Sequence, residues 1–94
     1  HISIVFSLSD DLNSTVRKNA CKSLAYLLQT KYKDMAESKV YQLLLDKSHD
    51  VRYALLQLIK ENVISEKYSC KKTILESLKV DAHYNIRNQA LILK

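Results

Sequence analysis

Apolar residues recur along this chain at spacings of three and four, and polar clusters divide the pattern into six stretches, near 2–9, 14–31, 35–46, 49–63, 67–79 and 84–94. Such spacing puts one apolar stripe on each stretch, which predicts six amphipathic helices. In the second stretch the stripe is Val16, Ala20, Leu24, Leu27 and Leu28; in the fourth it is Val51, Leu55, Leu58 and Ile59; in the sixth, Ile86, Ala90 and Leu93. Asn13 and Ser48 stand where the second and fourth helices begin, with side chains that can accept a hydrogen bond from a free first-turn amide, and His83 is a weaker cap at the equivalent place. Asp34 with Glu37 comes close to a capping box for the third helix, and its register partner Ser69 predicts a fifth helix starting near residue 70. Lys71 and Lys72 oppose the helix dipole there, which leaves a start near Ser65 and Glu66 open.

A phrase returns within this pattern. Asp, four residues, then a β-branched residue and Arg occurs as Asp11…Val16-Arg17, as Asp46…Val51-Arg52 and as Asp81…Ile86-Arg87, each 35 residues after the last. Apolar positions travel with it: Leu8, Leu43 and Leu78 align, as do Val5, Val40 and Leu75, and Ala20, Leu55 and Ala90. Self-similarity at this period predicts an all-α fold, an α-solenoid of stacked antiparallel helix pairs. Its single array would hold two and a half to three repeats: a truncated one over 1–33, a second over 34–68 and an incomplete third over 69–94. The Asp falls in the turn inside each pair and the Arg in the first turn of the following helix. Stacking then brings each Arg near an Asp of its own or the adjacent turn, and Asp11, Arg17, Asp46, Arg52, Asp81 and Arg87 form a structural ladder that fixes the register.

Composition supports the helical reading. The chain contains no Gly and no Pro, the usual residues of β-turns and long loops, while 47% of it is hydrophobic, enough for every helix to contribute a face to a core. Apolar runs such as Leu24–Leu28 are far too short to span a bilayer. Cys21 aligns with Leu56 and Leu91, which makes it a small core residue, and Cys70 opens a helix; two free thiols suit an intracellular setting, cytoplasmic or nuclear. The net charge of +5 fits an acidic partner or nucleic acid, and fits equally a lysine-rich solvated face.

Catalytic chemistry is not expected. Ser48-His49-Asp50 holds the residue types of a hydrolase triad, but neighbours on one turn cannot orient as nucleophile, base and orienter. Without Gly there is no phosphate-cradling loop, and pairs such as Lys72 with Glu76 read as surface pairing along a helix. Neither a cofactor nor a metal site is predicted, because the two cysteines have no nearby histidine cluster.

The stretch Leu43-Leu44-Leu45-Asp46-Lys47-Ser48-His49-Asp50-Val51-Arg52 and its counterparts around Asp11 and Asp81 resemble the HEAT repeat. The resemblance spans nearly the whole chain. A shorter piece, Asp46-Lys47-Ser48 with Val51-Arg52-Tyr53, is similar to scaffolding subunits of type 2A protein phosphatases, although those have a slightly longer repeat and Pro in some first helices. HEAT arrays are interaction scaffolds and adaptors, so the resemblance implies a protein partner held on the concave face lined by the second helices, or along the turns near 10–14, 46–49 and 81–84.

In this register the polar positions of the second helices superpose into rows. One row is Lys18, Tyr53 and Asn88, another Lys22, Gln57 and Ile92, and a third Tyr26 with Glu61. Lys18, Lys22, Tyr26, Tyr53, Gln57 and Asn88 are therefore the candidate partner-binding residues. The second reading is a nucleic-acid backbone gripped through Lys and Arg of the same face. It lacks a continuous basic stripe, because the rows turn from Lys to Tyr, Gln and Asn. Apolar residues 2–8 and a last stretch that stops in mid-register carry no polar capping face, so the chain is expected to be a piece of a longer array or to pack through its ends on another molecule.

Overall fold

Each apolar stripe folds as a helix. The computed structural model describes residues 2–93, with α1 (Ile2–Leu8), α2 (Ser14–Leu27), α3 (Lys33–Leu44), α4 (His49–Lys60), α5 (Cys70–Leu78) and α6 (Tyr84–Ile92). No strand occurs among the described residues, and the fold is all-α.

Helix ends follow local hydrogen bonding more closely than apolar pattern. At the start of α2 the Asn13 side chain accepts from the amides of Thr15 (2.8 Å) and Val16 (3.4 Å), the cap its position predicts. Ser48 and His83 stand before α4 and α6 but make no side-chain cap bond. The third helix differs from expectation at its start: Tyr32 is its N-cap residue, and Asp34 lies inside the first turn, where its charge complements the helix dipole instead of capping. Thr30 Oγ1 accepts the Tyr32 amide at 3.1 Å and donates to the Leu27 carbonyl at 2.7 Å, so one hydroxyl closes α2 and leads into α3. This is why α2 ends at Leu27 although apolar spacing runs on to Leu28. The fifth helix starts at Cys70, not near Ser65, and Ser69 precedes it in right-handed helical geometry without a side-chain cap bond.

The end of α4 shows how a glycine-free chain reverses. Asn62 has φ 62°, the one positive φ among the described residues, and its amide reaches the Ile59 carbonyl at 3.0 Å while the Val63 amide reaches Leu58 at 2.9 Å. These two bonds form a Schellman cap, with Asn in the left-handed position usually given to Gly. The reversal delivers Ile64 into the core, where it is fully buried.

Packing follows chain order. Apart from α1 on α2, the main contacts are α2 with α3 and α4, α3 with α4 and α5, α4 with α5 and α6, and α5 with α6. One apolar cluster runs through them, from Phe6 to Ala90, with Leu24, Val40, Leu55, Leu56, Ile74 and Leu78 among its sealed members. Several residues at equivalent register positions share a fate: Ala20, Leu55 and Ala90 are all buried, as are Val40 and Leu75.

Burial sets the expected response to truncation. Leu56→Ala, at a sealed position, should cost about 3 kcal/mol in urea denaturation, whereas Leu91→Ala, at the same register position on the exposed side of α6, should change stability by less than about 0.5 kcal/mol.

Candidate functional site

Two arrangements of side chains stand out, a bonded ladder across the loops and a groove between α2 and α4. In the ladder, the aspartate of each loop accepts the backbone amide two residues on: Asp11 from Asn13 at 2.8 Å, Asp46 from Ser48 at 2.9 Å and Asp81 from His83 at 2.8 Å. Each arginine then returns Nη1 to the carbonyl of its own loop's aspartate, Arg17 to Asp11 at 2.8 Å, Arg52 to Asp46 at 2.7 Å and Arg87 to Asp81 at 2.9 Å. The other side of the guanidinium points to the following loop. Arg17 Nε and Nη2 hold both Asp46 oxygens at 2.7 and 3.1 Å, and Arg52 holds Asp81 at 2.8 and 3.1 Å. The sequence left open whether Arg meets an aspartate of its own or the adjacent turn; it touches both, the carbonyl of one and the carboxylate of the other.

These carboxylates lie largely out of water, with side-chain exposures of 9% for Asp46 and 6% for Asp81. Burial alone would raise them. The arginine hydrogen bonds, the loop amides and the nearby positive charge outweigh it, so both are held below the ordinary 3.8. The bond to Asp46 likewise raises Arg17 further above its usual range. On the N-terminal side, Asp10 accepts from Lys39 Nζ at 2.6 Å and Gln42 Nε2 at 2.7 Å, which ties the first loop to α3 and lowers its carboxyl too. Asp10 has no counterpart in the repeat, where Leu45 and Val80 stand, so periodicity gave it no weight.

Four of the six candidate binding residues meet in the groove. It measures about 400 Å³, with Lys18 and Lys22 on the α2 side and Tyr53, Gln57 and Glu61 on the α4 side. Successive helical turns on two neighbouring helices place them face to face. Gln57 Oε1 is buried there without a hydrogen-bond partner, while Tyr53 Oη lies 3.5 Å from Gln89 Oε1 of α6. A buried acceptor left unpaired costs about 1–3 kcal/mol. Tyr26 lies outside this groove; it lines a separate hollow with Gln29, Val63 and Lys67. Asn88, on α6, is exposed and is not among the residues that line this groove. Ile92, at the Gln57 position in register, is exposed as well. A somewhat larger hollow, about 460 Å³, runs along α5 between Glu66, Lys72 and Glu76, but contains no orphaned polar atom.

Position in the repeat gave no hint of two other features. His49 and His83 stack with ring centroids 4.3 Å apart and planes at 28°, and His83 Nδ1 is buried without a partner. Ser48-His49-Asp50 thus sits on a loop edge, where His49 Nδ1 lies 3.3 Å from Asp50 Oδ1 and its ring faces another histidine. Cys21 and Cys70 are buried free thiols; burial, reinforced by the Asp46 charge, pushes Cys21 up to about 12, and burial with the Glu37 charge raises Cys70. Among the described residues no group of three or more His, Cys, Asp or Glu side chains is placed to hold a metal ion, and no helix is long and apolar enough to cross a membrane.

Comparison with protein-family models, with curated proteins and with solved structures gives no match.

Arg52→Ala strands the Asp81 carboxylate and should cost about 3 kcal/mol by chemical denaturation, and Arg52→Lys should recover little of it, since one ammonium cannot hold a carboxylate and a carbonyl together. Acid should act through the same groups. Native Asp46 and Asp81 bind protons at lower pH than the 3.8 of the unfolded chain, so protonation favours unfolding. Their contribution should be complete above about pH 5 and lost as pH falls through and below 3.8, and a Tm series should show a shallower acid limb for the Asp46→Asn, Asp81→Asn double variant.

Proposed function

We propose that this chain is a non-catalytic, intracellular interaction scaffold or adaptor of HEAT-like architecture, which holds a peptide, helix or domain of a partner protein in the α2/α4 groove. The observation that carries the reading is the convergence of Lys18, Lys22, Tyr53 and Gln57, from two neighbouring helices, on one groove. Such a site offers two cations and the Tyr53 ring beside the single carboxylate of Glu61, a combination suited to an acidic segment. The 35-residue phrase and the packing of each central helix on the next two support the stacked-pair architecture. A regulatory role like that of a phosphatase scaffolding subunit is one form the function could take. The loop edge near 10–14, 46–49 and 81–84 is the alternative docking surface.

Nucleic-acid binding ranks second for a structural reason. Arg17 and Arg52 are committed to carboxylates, which leaves Lys18 and Lys22 as the cations of this groove.

The test is a fluorescence-anisotropy titration with labelled acidic peptides and, in parallel, a DNA duplex. Lys18→Glu, Lys22→Glu and Tyr53→Ala combined should weaken peptide binding by about tenfold or more with the fold intact. Peptide affinity unchanged in the triple variant sinks the groove; tight, steeply salt-dependent duplex binding would move the nucleic-acid reading to first place.

A further inference from the structure

The hollow beside Tyr26 continues the line of the α2/α4 groove. Lys18, Lys22 and Tyr26 stand four residues apart on one face of α2, so the groove that ends at Lys22 gives way, one turn further on, to the Tyr26 hollow. On the opposite wall the change falls between Glu61 and Asn62, neighbours in the chain. Each hollow holds about 400 Å³, and no residue of α1 or α6 lines either. The two helices run the same way along them: Lys18 lies with Tyr53 near their starts, and Tyr26 with Asn62 and Val63 just past the end of α4. At about 1.5 Å per residue, the step from Lys18 to Tyr26 covers about 12 Å.

The two ends of this trough differ in chemistry. Lys18 and Lys22 line the first, and neither makes an ion pair among the described residues. At the second, half-exposed Tyr26 and core-packed Tyr68 line the hollow with Val63, and Lys67 Nζ lies 5.3 Å from the centre of the Tyr68 ring. Lys18, Lys22 and Lys67 together outweigh Glu61, the carboxylate of the trough, so its charge calls for an acidic occupant. The helical walls have spent their main-chain amides and carbonyls on their own turns. An extended segment would find no free backbone edge to pair with here, whereas a helix arrives with its backbone already satisfied.

We propose that the trough receives an acidic amphipathic helix of a partner protein, laid along α2 and α4, with a carboxylate at Lys18 and Lys22 and, two turns further along the same face, a leucine-like side chain in the Tyr26 hollow. This rests on the α2/α4 groove being the binding site and adds the form of its occupant. The spacing is one a helix supplies: positions seven or eight apart share a face and lie about 11–12 Å from each other, the separation found on α2. A third helix seated between two parallel ones packs its side-chain ridge into their groove, which brings the apolar anchor onto the tyrosine rings.

Fluorescence anisotropy with three labelled peptides of one composition tests the assignment. The first is a lactam-stapled helix with Glu in one turn and Leu seven residues later; the second moves that Leu to the opposite face; the third is a linear isomer of the first whose central residues have the D configuration and break the helix. The first should bind the wild-type chain about tenfold more tightly than either of the others, and Tyr26→Ala should erase its advantage over the second. Because Tyr26 is half exposed, the replacement spares the core, and circular dichroism checks that the helices persist. Changing the peptide's Leu to Ala is an arm that leaves the protein untouched: it should cost about tenfold with the wild type and little with the Tyr26→Ala variant. If Lys18→Glu with Lys22→Glu leaves binding of the stapled helix unchanged, the groove reading itself falls. If that pair weakens binding but Tyr26→Ala does not, or the D-containing isomer binds as well as the helix, the groove stands and the helical occupant is overturned; it is overturned too if none of the three peptides binds.

Discussion

A guanidinium shared between two consecutive loops is the interaction on which this molecule depends. Arg17 and Arg52 each fix the carbonyl six residues back and the carboxylate 29 residues ahead, and the second of these carboxylate oxygens also anchors the amide that leads into the next helix. Loop conformation, helix start and unit-to-unit register are therefore one network. Taking an ion pair out of water is expensive, and a pair of this kind is weak evidence for net stability. Its larger effect is specification: a shift of one helical turn would leave the carboxylates and the forks unmatched, so competing registers are penalised heavily.

Much of this was legible in residues alone, for a physical reason. A repeated bonding geometry demands the same residue types at the same interval, and apolar faces must recur with it, so Asp, Arg and leucine positions announced both helices and ladder residues. The features that periodicity missed are those made once. Asp10 bonds Lys39 and Gln42 at a place where the other units carry Leu45 and Val80. Asn62 supplies the left-handed residue of a single cap, and Thr30 alone ends α2 early. The start of α3 misled the reading because Asp34 and Glu37 carry a capping spacing that the chain does not use, the Thr30 hydroxyl having already organised the turn. Among the binding candidates, Lys18, Lys22, Tyr53 and Gln57 converge since α2 and α4 are neighbours, whereas Tyr26 is a turn too far along α2 and Asn88 sits on α6, whose main contacts are with α4 and α5.

The division of labour between invariant and variable positions within the repeat is physical. Positions bonded to the next unit in the same way, such as the Arg of each phrase, are consumed by that bond and offer little to a partner. Positions one residue later, occupied by Lys18, Tyr53 and Asn88, project from the helices without a repeated role, and differ from unit to unit. Gln57 lies beside them, and its Oε1, like His83 Nδ1 on the loop edge, is a buried atom left without a partner.

The packing of each central helix on the next two also governs how the chain reaches this structure. Its helix contacts join each helix to the next one or two along the chain, and the arginine bridges close loops of 29 residues, so little loop entropy is spent before an apolar contact is gained. Folding can begin wherever two adjacent helices meet and spread outward in both directions, each bridge closing as the next loop arrives. With α4 touching α2, α3, α5 and α6, that helix is the natural place for growth to start, and the outer helices are the natural place for native fluctuations to open first.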